Sequence, residues 1–73
     1  MLPDGTYEAI VVDADDGPEP GTLRLELAIA AGPHRGEVLP IAVAGLRRDP
    51  LDLLAVPATV VVEGGAPRLT LEG

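Results

Sequence analysis

The stretch Thr22–Ala44, TLRLELAIAAGPHRGEVLPIAVA, carries the clearest alternation of apolar and polar residues in the chain. Its first half places only aliphatic side chains on one face of a strand, namely Leu23, Leu25, Leu27 and Ile29. After a turn at residues 32–36, GPHRG, the alternation resumes with Leu39, Ile41 and Val43. The pattern therefore predicts an antiparallel hairpin with a five-residue loop, buried on one face against the hydrophobic core.

The segment before the hairpin is predicted to form a first strand over residues 6–14, after a turn signal at residues 3–5, PDG. This strand has apolar residues on both faces, so we expect it to be covered on both sides. Residues 13–21, DADDGPEPG, then hold four acids, two prolines and two glycines. That composition is typical of an exposed loop and is expected to end the strand.

The same acidic segment, residues 13–21, is a candidate cation site. The EF-hand calcium pattern fails, because Gly17 stands where an oxygen ligand is needed and Arg24 stands where a bidentate glutamate is needed. Whether these residues bind another cation stays open at this point. We expect the chain to fold without metal or cofactor, because it contains no convincing cluster of ligands.

Residues 49–57, DPLDLLAVP, contain the helical signal of the chain. Asp49 suits the N-cap, Pro50 suits the first helical position, and Pro57 disfavours a helical residue before it. A helix of about two turns at most is expected. The side chains expected to face the core are Leu51 and Leu54, with Leu53 or Ala55 alongside.

Two more strands, at residues 58–63 (ATVVVE) and 67–72 (PRLTLE), are joined by a Gly64–Gly65 turn. The order of elements is then three strands, a short helix and two strands. This order resembles the OB-fold, a five-stranded, partly open barrel that a helix caps between the third and fourth strands. The stretches that carry the resemblance are GTYEAIVVDAD at 5–15, GPHRGEVLPI at 32–41 and DPLDLL at 49–54.

The Gly5–Tyr7 opening (G-x-Y) and the Gly32–Gly36 turn (G-x-x-x-G) also resemble small bacterial proteins of GC-rich genomes, some of them close to phage-type single-strand-binding proteins. The sequence thus predicts one all-β domain over residues 1–73. Its expected architecture is a five-stranded OB-like small barrel with a short helix between strands 3 and 4. An SH3-like small β-roll is the alternative.

Composition excludes several classes of function. The chain has 73 residues and a formal net charge of −7, from twelve acids against five arginines and no lysine, which repels nucleic acid at long range. It has no cysteine, so disulfides and thiolate sites are excluded. No segment has the pattern of a signal peptide or a membrane span, and we expect a cytoplasmic protein with no membrane contact.

The inventory of reactive side chains is poor for catalysis. The chain has no Cys, Ser or Lys, and only one histidine, His34, which lies in the predicted turn. The clustered acids lie on a predicted loop, where they would lack the rigid support that acid–base chemistry requires. The sequence predicts that the protein is not an enzyme, with no catalytic, cofactor-binding or metal-binding residues.

The OB-fold resemblance implies binding of single-stranded nucleic acid through aromatic platforms and a basic groove over the second and third strands. The sequence offers no such platforms, because Tyr7 is its only aromatic residue and is expected to lie inside. Nucleic-acid binding is therefore the alternative function. Its candidate contacts are Arg24, Arg35, Arg47 and Arg48.

Protein–protein contact is the function that the sequence favours. The outward positions of the second and third strands are small or apolar, and such a surface is typical of a contact site. The predicted interface residues are Ala28, Ala30, Val38, Pro40 and Ala42. A homodimer is the simplest assembly, because two-fold pairs are the commonest oligomers. A different protein partner remains open, as does cover by the acidic loop or the N-terminus.

Overall fold

The structure, a computed structural model, describes residues 2–45 and 49–72 and is all-β. Five antiparallel strands form one sheet that curls into a half-barrel, consistent with a small OB-like barrel. The predicted fold class is confirmed. The elements are β1 (Gly5–Asp16), β2 (Thr22–Ile29), β3 (Val38–Ala44), a 3-10 helix (Pro50–Leu53), β4 (Pro57–Glu63) and β5 (Ala66–Leu71).

β1 is the central strand of the sheet, whose order is β3-β2-β1-β4-β5. It pairs with β2 over residues 9–16 and with β4 over residues 5–10. β3 and β5 are the two edge strands. They run in the same direction, because four antiparallel steps separate them, and they do not pair with each other within the part of the chain that the structure describes.

The free edge of β3 lacks one hydrogen-bond donor. The amide of Ile29 donates to Glu37 O at 2.9 Å, and the amide of Gly45 donates to Gly21 O at 3.2 Å. Hydrogen-bonded pairs alternate along an antiparallel ladder, so these two bonds fix the phase of the whole β2–β3 pairing. Pro40 then lies in a pair that is not hydrogen-bonded, and its nitrogen, which carries no hydrogen, points to the open edge.

The free edge of β5 has the same defect. The amide of Glu72 donates to Pro57 O at 2.9 Å, which makes the pair of Val62 and Pro67 a non-hydrogen-bonded one. Pro67 therefore also directs a nitrogen without a hydrogen to the open edge. Pro40 and Pro67, the edge prolines, each remove a bond that closure of the barrel would need.

The core is one cluster of aliphatic side chains, and the described residues include no buried polar or charged residue. β2 contributes the centre of this core, since Leu25 and Leu27 are fully buried and Ile29 is 2% exposed. From β3, Ile41 is buried, while Leu39 and Val43 pack against the cluster half-buried. The predicted inward face of the central hairpin is confirmed.

β1 differs from its prediction as a strand covered on both faces. Its inner face is buried at Ala9 and Val11, but Val12 is 49% exposed. The register with β2 shifts between Val11 and Asp13, so Val12 lies in a β-bulge with no partner opposite it. No described element covers the outer face of the sheet at this strand. The expectation of cover on both sides is therefore wrong.

The acidic segment 13–21 was predicted to be a loop and the first strand to end at residue 14, but the strand continues two residues further, to Asp16. Asp13–Asp16 continue β1 and pair with β2. They can do so because Ala14 faces the core side opposite Leu25, while the side chains of Asp13 and Asp15 stay in solvent on the outer face. Residues 17–21 form the turn, which the amide of Gly17 closes by donating to Thr22 O at 2.8 Å.

The connection between β2 and β3 is longer than the predicted five-residue loop. It comprises residues 30–37, because regular pairing ends at Ile29 and begins again at Val38. Two tight turns shorten it, in which the backbone amide of Arg35 donates to Gly32 O and the backbone amide of Glu37 donates to His34 O.

The helix between β3 and β4 is a single 3-10 turn with the predicted start. Asp49 is its N-cap, and the Asp49 side chain accepts a hydrogen bond from the amide of Leu51 at 2.9 Å. Of the side chains expected to face the core, only Leu53 does so fully, at 0% exposure, whereas Leu51 is 73% and Leu54 42% exposed. The chain leaves helical geometry at Leu54, so one short turn directs only one leucine inward.

The second hairpin forms as predicted. Gly64 and Gly65 connect β4 to β5 with φ values of 59° and 79°, which a two-residue turn of this kind requires. The amide of Gly64 also donates to the Asp4 carboxylate at 3.2 Å, which ties this turn to the start of β1.

Candidate functional site

The outer face of the sheet carries a continuous line of apolar side chains across four strands. Val38 of β3 lies opposite Ala28 of β2, Ala28 lies opposite Ile10 of β1, and Ile10 lies opposite Pro57 of β4. We call these four residues the apolar row. With strands about 4.8 Å apart, the row is about 14 Å long. Val38 is the most exposed large side chain of the row, at 55%.

The predicted interface residues all lie at or beside this row. Pro40 and Ala42 follow Val38 along the outer side of β3, and both are exposed. Ala28 is half-buried within the row, and Ala30 is exposed beside it, with its amide donating to Glu8 O at 2.8 Å. Within residues 2–45 and 49–72, four of the five are exposed and Ala28 is half-buried, so the acidic turn does not cover them, and Leu2 is buried in the core. The structure thus brings the five residues together on one exposed surface.

Two further members of this surface, Ile10 and Val12, were missed from the sequence. Ile10 is half-buried in the apolar row, and Val12 is exposed in the β-bulge next to it. They were not assigned to the surface because β1 was expected to be covered on both sides. A usable signal was present, because the acids at alternate positions 13 and 15 indicate that the outer side of β1 meets solvent.

Acidic side chains flank the apolar row on both sides. On one side of the row, Glu8 lies two residues before Ile10 on β1. On the other side, Glu26 lies two residues before Ala28 on β2, and Asp13 of β1 lies opposite Glu26. The Cα atoms of Glu26 and Ala28 are therefore about 7 Å apart. Beyond them, Asp15 lies opposite Arg24. These groups make the outer face strongly anionic near the row.

The acids form a shallow depression between β1 and β2, with a volume of about 120 Å³. Its lining consists of Asp13, Asp15, Asp16, Arg24 and Glu26. Asp13 and Asp15 each accept a hydrogen bond from the next amide along the chain, at 2.9 and 2.8 Å. In the described part of the chain, none of these carboxylates lies within ion-pair distance of the Arg24 guanidinium.

The arginines proposed as nucleic-acid contacts do not form one described basic surface. Arg24 lies among acids on the outer face, and Arg35 is exposed in the β2–β3 connection. Arg47 and Arg48 lie outside the described residues.

The single histidine, His34, contacts two side chains, those of Tyr7 and Glu37. The rings of Tyr7 and His34 meet edge to face, with their centroids 5.8 Å apart and an angle of 80° between the planes. His34 Nδ1 contacts the Glu37 carboxylate, and the Tyr7 hydroxyl donates to Pro3 O. These contacts hold the β2–β3 connection and the N-terminal segment against one end of the barrel. Tyr7 was expected inside and is half-buried.

An apolar cavity of about 250 Å³ lies beneath the open side of the half-barrel. It is lined by Leu2, Leu39, Val62, Gly65 and Pro67. It marks the gap that the unpaired edges of β3 and β5 leave over the core.

Neither a metal centre nor a membrane helix is found in the described part of the chain. Among these residues, no three His, Cys, Asp or Glu side chains are placed to hold a metal ion. No helix there has the length and apolar character needed to cross a lipid bilayer.

Comparison of the chain with protein-family models, with curated proteins and with solved structures gives no match in any of the three.

Proposed function

We propose that this protein is a small, non-enzymatic module that binds another protein surface through the outer face of β1, β2 and β3. The observation that carries the proposal is the apolar row, with Val38 more than half exposed at its β3 end. A continuous apolar surface on a folded domain is unfavourable in water and is typical of a contact site. The exposed side chains of Pro40, Ala42 and Val12 extend it.

The arrangement of polar groups supports binding over catalysis. His34, the only histidine, has its Nδ1 engaged by Glu37 and its ring against Tyr7. A catalytic base would need a reactive partner and a cavity beside it. Neither the acidic depression nor the apolar cavity is lined by His34.

The surroundings of Arg24 favour a protein partner over single-stranded nucleic acid. Arg24 lies beside Asp15 and Glu26 on the face that an OB-fold uses for nucleic acid, and carboxylates repel phosphates. Tyr7, the only Phe, Tyr or Trp of the chain, lies half-buried on the inner side of β1 against His34, away from the outer face that an OB-fold uses for stacking. The cytoplasmic location and the bacterial origin expected from the sequence stay predictions.

Site-specific photo-crosslinking in cells of the source organism tests this proposal. A photoreactive amino acid at Ala42, on the outer side of β3, should give a defined protein adduct. The matched control is the same amino acid at Thr70, which lies on the outer side of β5 and is also exposed. The adduct at position 42 should disappear in an Ala28→Glu background, because a carboxylate buried in an interface is strongly unfavourable.

Either a second copy of the chain or another protein in the adduct supports the proposal. If position 42 gives no adduct, or gives the same adducts as position 70, the outer face of β1, β2 and β3 is not a specific contact surface.

A further inference from the structure

We propose that the apolar row is covered by a basic partner, an extended protein segment that presents an aliphatic side chain and an arginine or lysine two residues apart on the same face, and not by a second copy of this chain. This inference rests on the proposed contact function of the outer face. It adds the chemistry of the partner, which follows from the charges around the row.

On the outer sides of β1 and β2, the described residues next to the row or one position beyond it include four carboxylates and one guanidinium. The acids are Glu8, Asp13, Asp15 and Glu26, and the base is Arg24. Asp16 adds a fifth carboxylate at the rim of the depression. A partner that covers the row must therefore meet an excess of negative charge, and cationic groups at the rim of an interface are what such a surface favours.

In a symmetric dimer through this face, the acids around the two rows would repel each other. In a two-fold contact the same patch faces itself, so the acids on both sides of one row approach the acids of the other copy. Arg24 is the one guanidinium that lines the acidic depression among the described residues, and it does not balance the four carboxylates around it. The whole chain also carries a formal charge of −7, which adds long-range repulsion between copies.

The spacing of the groups defines the partner more closely. Ala28 and Glu26 lie two residues apart on β2, which is about 7 Å. An extended segment with aliphatic and basic residues at comparable spacing places an aliphatic side chain on the row while a basic one reaches Glu26 and Asp13. The depression of about 120 Å³ between β1 and β2 leaves room there for the end of a lysine or arginine side chain.

The inference is tested with three synthetic peptides and the purified, isotope-labelled protein. The first peptide combines lysine with valine, the second lysine with serine, and the third glutamate with valine. Binding is measured by titration calorimetry, and the contact surface is mapped by amide chemical-shift changes. We expect binding of the lysine–valine peptide alone, with the largest shifts at Ala28, Val38 and Glu26.

Charge variants separate a specific site from general attraction. Asp13→Asn with Glu26→Gln should weaken binding of the lysine–valine peptide about tenfold or more, as expected for loss of a complementary pair of charges. The control, Asp52→Asn with Glu63→Gln, removes the same charge from exposed residues away from the row and should leave the affinity within about twofold. Val38→Ser should weaken binding while circular dichroism confirms the fold.

Three results would overturn the inference. The first is equal weakening by the two charge pairs, or equal binding of the lysine–serine peptide, since either indicates attraction without a site. The second is preference for the glutamate–valine peptide. The third is dimerisation of the wild type in sedimentation that Ala28→Glu abolishes. In this third case, or if Ala42 gives a photo-adduct while no peptide binds, the contact function stands and only the basic partner is rejected.

Discussion

Replacement of Leu53 by alanine tests how the short helix contributes to the fold. Leu53 is completely buried and is the only inward side chain of the 3-10 turn. The residues after it are fixed to β1, because the amide of Ala55 donates to Val11 O at 2.8 Å and the amide of Val11 donates to Val56 O at 3.0 Å. The backbone therefore cannot move in to fill the space that the leucine leaves.

The expected loss of stability is large for a domain of this size. A buried Leu→Ala substitution costs about 2–5 kcal/mol, because it loses both apolar transfer energy and contacts around the new cavity. The whole domain of 73 residues has about 4–11 kcal/mol of unfolding free energy at typical values per residue. Thermal unfolding followed by circular dichroism should show a midpoint lower by at least about 8 °C.

Leu51→Ala is the matched control, with the same chemical change two residues away. Leu51 is 73% exposed, so its truncation should change the unfolding free energy by no more than about 0.5 kcal/mol. Equal losses in the two variants, or a larger loss for Leu51→Ala, would refute the assignment of Leu53 as the buried residue of the turn.

Three further outcomes are expected. Asp49→Ala should cost about 1 kcal/mol in the same melting experiment, because the cap to the Leu51 amide is lost, whereas an unchanged midpoint would show that the cap contributes nothing. EDTA should leave the midpoint of the wild type unchanged, since the described acids of residues 13–21 are not placed around a metal ion, and a fall of many degrees would revive a cation site there. Fluorescence anisotropy with a labelled single-stranded oligonucleotide at physiological salt should detect no binding, because acids surround Arg24 and the net charge is −7; tight binding that weakens steeply with salt would contradict this.

The alternation in residues 22–44 was sufficient to predict the paired strands β2 and β3 and their buried face. Period-two patterns assign side chains to faces directly, and Leu25 and Leu27 are fully buried as that assignment requires. The pattern was weaker for β1, where apolar residues occur on both faces. A β-bulge at Val12 cannot be read from residue types, because it depends on the register with β2.

The helical segment shows a second limit of the sequence. The N-cap signal of Asp49 and the proline at position 50 predicted its start correctly, because both signals depend only on neighbouring residues. Which leucine faces inward depends on whether the turn is α or 3-10, and this is set by packing against β1. For the contact surface, alternation identified Ala28, Val38 and their neighbours, but the acids on both sides of the row became visible only once β1 was paired with β2.

The edge prolines bear on the size of any assembly that this protein can join. Growth of a sheet from copy to copy needs a continuous ladder of donors and acceptors at both edges, and Pro40 and Pro67 each interrupt that ladder. The outer face, in contrast, would offer no further contact surface after one partner had bound to it. Growth by strand addition is therefore disfavoured at both edges, and raising the concentration should not extend the sheet from copy to copy into fibres.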